Sequence, residues 1–212
     1  MAPKREVPPA IKKILDKDVE ITKHFYVLAN KIIPLDKCKT YFKGLEISCH
    51  GIPWFAFWIC FTWLFNDPSL IQMQINMLLG LTLDILFVAF IKAYTRRRRP
   101  AANTDDALGQ IGPDVFSFPS GHASRAVFVT FFFMWLHPLS LLLQPFIITW
   151  CAAVCVSRVL LRRHHLLDVV AGIVLGNFIG LLLGVLYVSD DTAKWLMNNL
   201  SDEKLDGGDF HV

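Results

Sequence analysis

Charge is what this chain has least of. Only 18% of its 212 residues are Asp, Glu, Lys or Arg, against about 25% in an average soluble domain. With 54% of the residues apolar, a water-soluble body is a poor fit and a membrane setting is the first inference. The net charge of +3 is small, which argues against a globally basic protein that binds nucleic acid. Metal-ligand spacing is also missing. The five cysteines, Cys38, Cys49, Cys60, Cys151 and Cys155, form no CxxC pair and no Cys/His set. Their odd number, with three inside apolar runs, reads as free thiols rather than a disulfide framework. The first forty residues are polar and Lys-rich, with no short apolar leader, so the first span is expected to direct insertion. There is no internal repeat and no low-complexity segment.

What the chain does have is long apolar runs. Leu45–Phe65 and Leu70–Ile91 each supply the roughly 20 residues that cross a bilayer. Asp84 lies within the second, and a carboxylate at that depth is expected to face the bundle interior. Shorter runs follow at His122–Leu136 and Leu139–Val156, and a last one at Leu167–Val188 carries Gly172, Gly176, Gly180 and Gly184 on one face, a spacing that permits close helix packing. The expected fold is therefore an all-α polytopic bundle of about five spans. Residues 45–188 form the transmembrane domain, preceded by segment 1–44 and followed by a polar, mobile tail over 189–212. Pro8-Pro9 opens a helical pattern in which Ile11, Ile14, Leu15, Val19, Phe25, Leu28 and Ile32 share a face, as in a helix lying on a membrane surface; a solvated cytosolic tail is the alternative.

Five crossings put the N-terminal segment, the 92–121 connection and the 157–166 connection on one side. That side holds nineteen of the 21 lysines and arginines: ten in the first 44 residues, six from Lys92 to Arg125, and Arg158, Arg162 and Arg163. Only Lys194 and Lys204 fall on the other side. The positive-inside rule assigns the charged side to the cytosol.

Three clusters share that side: Lys92 with Arg96-Arg97-Arg98-Arg99-Pro100, then Pro119-Ser120-Gly121-His122, then Ser157-Arg158 with His164 and Asp168. Taken singly they read as a basic stop signal, a helix N-cap at Ser120 and a structural i,i+4 pair. Together they meet the needs of phosphoryl transfer. Cations and donors are required around the equatorial oxygens, and a helix N-terminus after a glycine-containing turn supplies backbone N–H groups. A nucleophile and a proton donor complete the set. His164 can be oriented by Asp168 one turn away, and His122 is available to protonate a leaving oxygen. His165, at i,i+3 from Asp168, is a second candidate nucleophile on spacing alone.

The ordered motifs KAYTRRRRP, PSGH and SRVLLRRHHLLD resemble the type 2 phosphatidic acid phosphatases, relatives of the vanadium haloperoxidases. The match covers residues 92–168. RRRRPA with FSFPSGHASRA in a short chain is similar to the polyisoprenoid diphosphate/phosphate phosphatases, a subgroup that includes presqualene diphosphate phosphatase. The resemblance implies an integral membrane lipid phosphatase acting on farnesyl, geranylgeranyl or presqualene diphosphate. It implies His164 as nucleophile forming a phosphohistidine, Asp168 orienting it, and His122 as general acid and base. Lys92, Arg99, Ser120, Gly121 and Arg158 would cradle the phosphate, with no metal and no cofactor. Its spacing selects His164 over His165, and it implies an endoplasmic reticulum or nuclear envelope location. Arg96, Arg97 and Arg98 are surplus to the pattern and suggest added affinity for a diphosphate head, against a role in lipid binding and topology. The competing readings are a phosphatidic acid or lysophospholipid phosphatase, a catalytically silent scaffold, and a transporter of anionic lipid.

Overall fold

The computed structural model describes residues 8–65, 67–100 and 115–205. Every regular element among them is helical. Two helices come before the expected bundle: α1 (Pro9–Ile32), opened by proline at its first position, and α2 (Leu35–Ser48). Next come α3 (Gly51–Leu64), α4 (Ile71–Thr95) and α5 (Gly121–Phe131), the last continued by a π-helical turn over Phe132–Leu136. The chain closes with α6 (Gln144–Leu160), α7 (Leu166–Val185) and α8 (Asp190–Leu205).

Fewer helices than the expected five have the length of a span. The Leu45–Phe65 run is split, because α2 ends at Ser48 and α3 restarts at Gly51 with a 49° bend between them. His50 caps the restart by accepting from the Ile52 N–H at 3.3 Å. Among the described residues, α4 and α7 are long and apolar enough to cross a membrane, and the bent α2–α3 pair is a third if counted as one. The run expected from Leu139 becomes helical only at Gln144, where Pro145 suits the first turn. The segment expected as a mobile tail forms α8 as far as Leu205. Its first turn is acidic, Lys194 pairs with Asp190, and Ala193 is fully buried.

From α3 to α7 the helices alternate in direction. At one end Gln74 of α4 donates to the Phe65 carbonyl at 2.9 Å, and Asn76 exchanges hydrogen bonds with Val188 at 2.9 and 3.0 Å. At the other end α4 and α6 finish while α5 and α7 begin. The glycine face of α7 sets the tightest contact. A Cβ on Gly172 would lie 2.6 Å from the Ser120 carbonyl, and one on Gly176 or Gly180 would collide with Ser124 or Phe131. Gly184 has ordinary space. α5 and α7 thus run parallel and nearly touching, so their N-termini open side by side.

Asp84 faces the interior, as expected. It is fully buried, accepts from Ser124 Oγ and pairs with Arg125 at 3.0 Å. Arg125 also donates to the Cys49 carbonyl at 3.1 Å. This ion pair ties α4 to α5 and to the break between α2 and α3. Outward faces of the bundle are apolar: Phe90, Phe146, Val174, Leu181 and Val185 are exposed, as lipid contact requires.

Candidate active site

The charged end of the bundle is built around the turn that closes α6. Arg162 adopts a left-handed conformation (φ 56°), which ends the helix. The N–H groups of Arg163 and His164 then both donate to the Arg158 carbonyl, at 3.1 and 3.2 Å. The five residues between Arg158 and His164 are therefore a helix cap, a hydrogen-bonded stop that fixes the nucleophile candidate relative to a cation.

His164 is buried, and its Nδ1 lies 2.7 Å from the Ser117 carbonyl oxygen. A carbonyl only accepts, so Nδ1 carries the proton and donates it, which leaves Nε2 with its lone pair. Ser117 does more. Its N–H donates to the Arg97 carbonyl at 2.8 Å and its Oγ to the Arg98 carbonyl at 3.1 Å. One buried serine thus registers the basic arm against the imidazole.

Asp168 does not make the hydrogen bond to His164 expected from one-turn spacing. Its Oδ2 is 3.9 Å from His164 Nδ1, beyond a hydrogen bond. That oxygen instead accepts from the His165 N–H at 2.8 Å and lies 3.3 Å from His165 Nδ1. The contact closes the cap of α7, for which His165 is the N-cap residue. Asp168 Oδ1 takes Arg97 Nη1 at 2.7 Å. Asp168 therefore acts on His164 through its field, and the directing hydrogen bond comes from Ser117.

Ser120 is the N-cap of α5, accepting from the Ala123 N–H at 3.4 Å, and its own N–H donates to the Asp168 carbonyl at 2.9 Å. The first-turn N–H groups of α5 point outward at this end, as anion donors do. His122 follows. Its Nε2 is buried without a hydrogen-bond partner among the described residues, and its ring lies edge-on to His50 at 5.8 Å. A buried ring nitrogen without a partner is costly unless a ligand completes it.

The three cations differ in setting. Lys92 is buried in the last turn of α4 and Arg99 is half-buried on the arm. Arg158 is 1% exposed, 3.4 Å from Glu46 of α2, and bonded to Ser157 Oγ at 3.1 Å and, at 3.5 Å, to the Phe42 carbonyl. Glu46 also lies 3.8 Å from Arg163. The surplus arginines divide. Arg96 caps α4 in a left-handed conformation and donates back to the Ala93 carbonyl at 3.0 Å. Arg97 is committed to Asp168 and to Asp18 of α1, and Arg98 is exposed.

Sequence reasoning missed Ser117, Glu46 and Asp18. Ser117 gave a faint signal, a small polar residue between Phe116 and Phe118 directly before PSGH. Glu46 and Asp18 gave none, since their partners are distant in sequence.

Burial, then the positive field of Arg99, hold His164 well below the ordinary histidine value; Lys92 and Arg158 act the same way, and Asp168 opposes them. An imidazole that attacks must be neutral, so a depressed value would keep His164 competent as a nucleophile into acid. Replacing Arg99 with Gln removes a positive neighbour and lets the value rise. The acid limb of kcat/KM is expected to move to higher pH in Arg99→Gln, measured on one substrate beside the unaltered chain so that substrate ionisation cancels. An unmoved limb, or one displaced to lower pH, would contradict this electrostatic assignment.

A family profile described as the PAP2 superfamily matches residues 74–191, which contain all three motifs. A probable lipid phosphate phosphatase beta from Arabidopsis thaliana is 33% identical, the match covering 58% of this chain and 68% of the relative. Among solved structures, a transmembrane PAP2-type phosphatidylglycerolphosphate phosphatase from Bacillus subtilis is 20% identical with a TM-score of 0.43, covering 80% of this chain and 95% of that one.

Proposed function

This chain belongs to the PAP2 superfamily, and from that premise we propose that it releases phosphate from polyisoprenoid diphosphates and monophosphates through a phosphohistidine on His164. It is a membrane lipid phosphate phosphatase, a hydrolase. The observation that carries the covalent reading is the bond from His164 Nδ1 to the Ser117 carbonyl at 2.7 Å. It fixes the tautomer whose Nε2 lone pair can attack phosphorus.

In the first step Nε2 forms the P–N bond as the P–O bond to the leaving group breaks. His122 Nε2 gives that oxygen its proton. Negative charge on the bound phosphate favours the protonated imidazole that this requires. In the second step His122 takes a proton from water, whose oxygen attacks phosphorus, and the P–N bond breaks to release phosphate. Lys92, Arg99 and Arg158 balance the equatorial charge, while Ser120 and the first-turn N–H groups at Gly121 and His122 orient it. Asp168 stabilises the positive imidazole from 3.9 Å.

The substrate reading draws on a cleft of about 630 Å³ between α1 and the basic arm. Leu15, Val19 and Val27 give it an apolar wall, and Lys23, Arg98 and Arg162 outnumber Asp16 on its charged one. Such a cleft suits an anionic head joined to an apolar chain. We also read five crossings over residues 45–188, a cytosolic site at the endoplasmic reticulum or nuclear envelope, and α1 as an interfacial helix. Apolar Ile14, Ile21 and Leu28 stand exposed on α1, which supports the last point. One observation favours phosphatidic acid instead: Arg96 and Arg97 are occupied within the fold, leaving fewer cations for a second phosphate.

Hydrolysis of farnesyl diphosphate and phosphatidic acid, compared in the same mixed micelles, decides between them. The proposal expects kcat/KM at least about tenfold higher for the diphosphate, the discrimination of one good charged contact. Equal values, or preference for phosphatidic acid, would overturn the isoprenoid reading and leave the phosphohistidine mechanism standing.

A further inference from the structure

The family match begins at residue 74, yet α1 reaches directly into the site. Its buried residues are Asp18 and Thr22, at 5% and 6% exposure, while Ile14, Ile21 and Leu28 are 57%, 57% and 60% exposed. A helix docked for stability alone would bury its apolar face. This one buries an acid and a hydroxyl, and both meet the start of α7. Asp18 Oδ1 accepts from the Leu167 N–H at 3.0 Å, and Thr22 Oγ1 accepts from the Leu166 N–H at 3.0 Å. These are first-turn groups that the helix itself cannot satisfy, and a carboxylate there also complements its positive end. The other oxygen of Asp18 takes Arg97 Nη2 at 2.6 Å, while Nη1 of the same guanidinium holds Asp168 at 2.7 Å.

We propose that Asp18 is a positioning residue for the phosphoryl-transfer step, acting through Arg97 on Asp168 and through the Leu167 N–H on the helix that follows His164. Asp18 does not touch the phosphate. It shares the positive charge of Arg97, so that Asp168 keeps its negative field toward the imidazole. It also holds the α7 turn that sets where Asp168 stands. A segment outside the matched family region is in this way part of the working site.

The inference rests on His164 as the nucleophile. Charged and titratable groups face His164 from every side: Lys92 at the end of α4, Arg99 on the arm, His122 on α5, Arg158 on α6 and Asp168 on α7. Within this set Asp18 tunes only the balance between Arg97 and Asp168. Loss of its charge leaves Arg97 to oppose Asp168 alone, which weakens the field favouring imidazolium. Loss of Arg97 leaves Asp168 unopposed and does the reverse.

The test uses the full chain in detergent micelles. Asp18→Asn is expected to lower kcat roughly 10- to 100-fold, as loss of an outer partner does at other sites, with KM within about twofold. Its acid limb moves to lower pH. Arg97→Gln also loses kcat, because Asp168 Oδ1 loses the guanidinium that holds it in place, but its limb moves to higher pH. The double variant is no slower than the slower single, because both act on one contact. Asp18→Glu, which keeps the charge, restores the limb of the unaltered chain even where packing costs some rate. Unchanged kcat in Asp18→Asn, multiplicative losses in the double variant, or limbs that do not move in opposite directions would each overturn the proposal. Phosphate labelling of His164 in the unaltered chain is scored in parallel. Its absence would mark failure of the underlying mechanism rather than of the role of Asp18.

Discussion

His164→Ala is expected to lose phosphate release by on the order of 10⁴-fold or more, the loss seen when a nucleophile is removed from a concerted unit. No other described residue combines a fixed tautomer, an unprotonated ring nitrogen and three cations nearby. The variant also leaves the Ser117 carbonyl without the His164 bond, at a cost of about 1–3 kcal/mol in stability. Thermal unfolding in detergent therefore accompanies the assay, and a rate lost without a matching loss of folded protein assigns the effect to chemistry. His165→Ala is the contrast. It removes a side chain lying 3.3 Å from Asp168 at the start of α7, a contact worth about 1 kcal/mol on the scale of helix caps, and is expected to keep activity within about tenfold. Residual activity in His164→Ala above that in His165→Ala would reverse the assignment of the two histidines.

The second large effect is expected in His122→Ala, and its size should depend on the leaving group. General acid catalysis contributes roughly 10²- to 10⁴-fold, and only where the departing oxygen needs a proton. A monophosphate ester departs as an alkoxide, a strong base. A diphosphate departs as a phosphate monoester, a far weaker one. Loss of His122 should therefore slow the first step on isoprenoid monophosphate by the upper part of that range, and on the diphosphate by much less. On the diphosphate, the second step becomes limiting, because the water has lost its base. Rapid-quench kinetics with both substrates checks this: a burst of product followed by a slow steady rate is expected with the diphosphate alone. Equal losses on both substrates, with no burst, would remove His122 from the acid and base role.

Much of this site was legible in the sequence, for a physical reason. Phosphate recognition needs residue types that are costly in a membrane, so Lys92, Arg99, Arg158, His164 and Asp168 stand out against apolar runs. Their spacings also mark helix ends, as the turn from Arg158 to His164 illustrates. What sequence reasoning could not reach was carried by the backbone or by distant partners. Ser117 works through its carbonyl, which no side-chain pattern reports. Asp18 and Arg97 meet only once α1 docks on α7. His164 and Asp168 do not bond at their one-turn spacing because Asp168 is drawn to the His165 N–H, an unsatisfied donor at the helix start. On the fold, hydropathy located the apolar runs but not their breaks. Gly51 and Pro53 restart a helix after His50, and Pro145 delays α6 to Gln144. The acidic first turn of α8 escaped because its helix former signals lie in a polar stretch.

Phosphate is expected to pass through nitrogen on His164. The most direct measurement traps that species. His122→Ala protein is mixed with radiolabelled isoprenoid diphosphate carrying label in the terminal phosphate, then quenched in base, where phosphohistidine survives. Peptides are mapped for the label. Label is expected on His164, near one per active chain, and none after the His122→Ala/His164→Ala double change. Label on His165, or label that persists without His164, would contradict it.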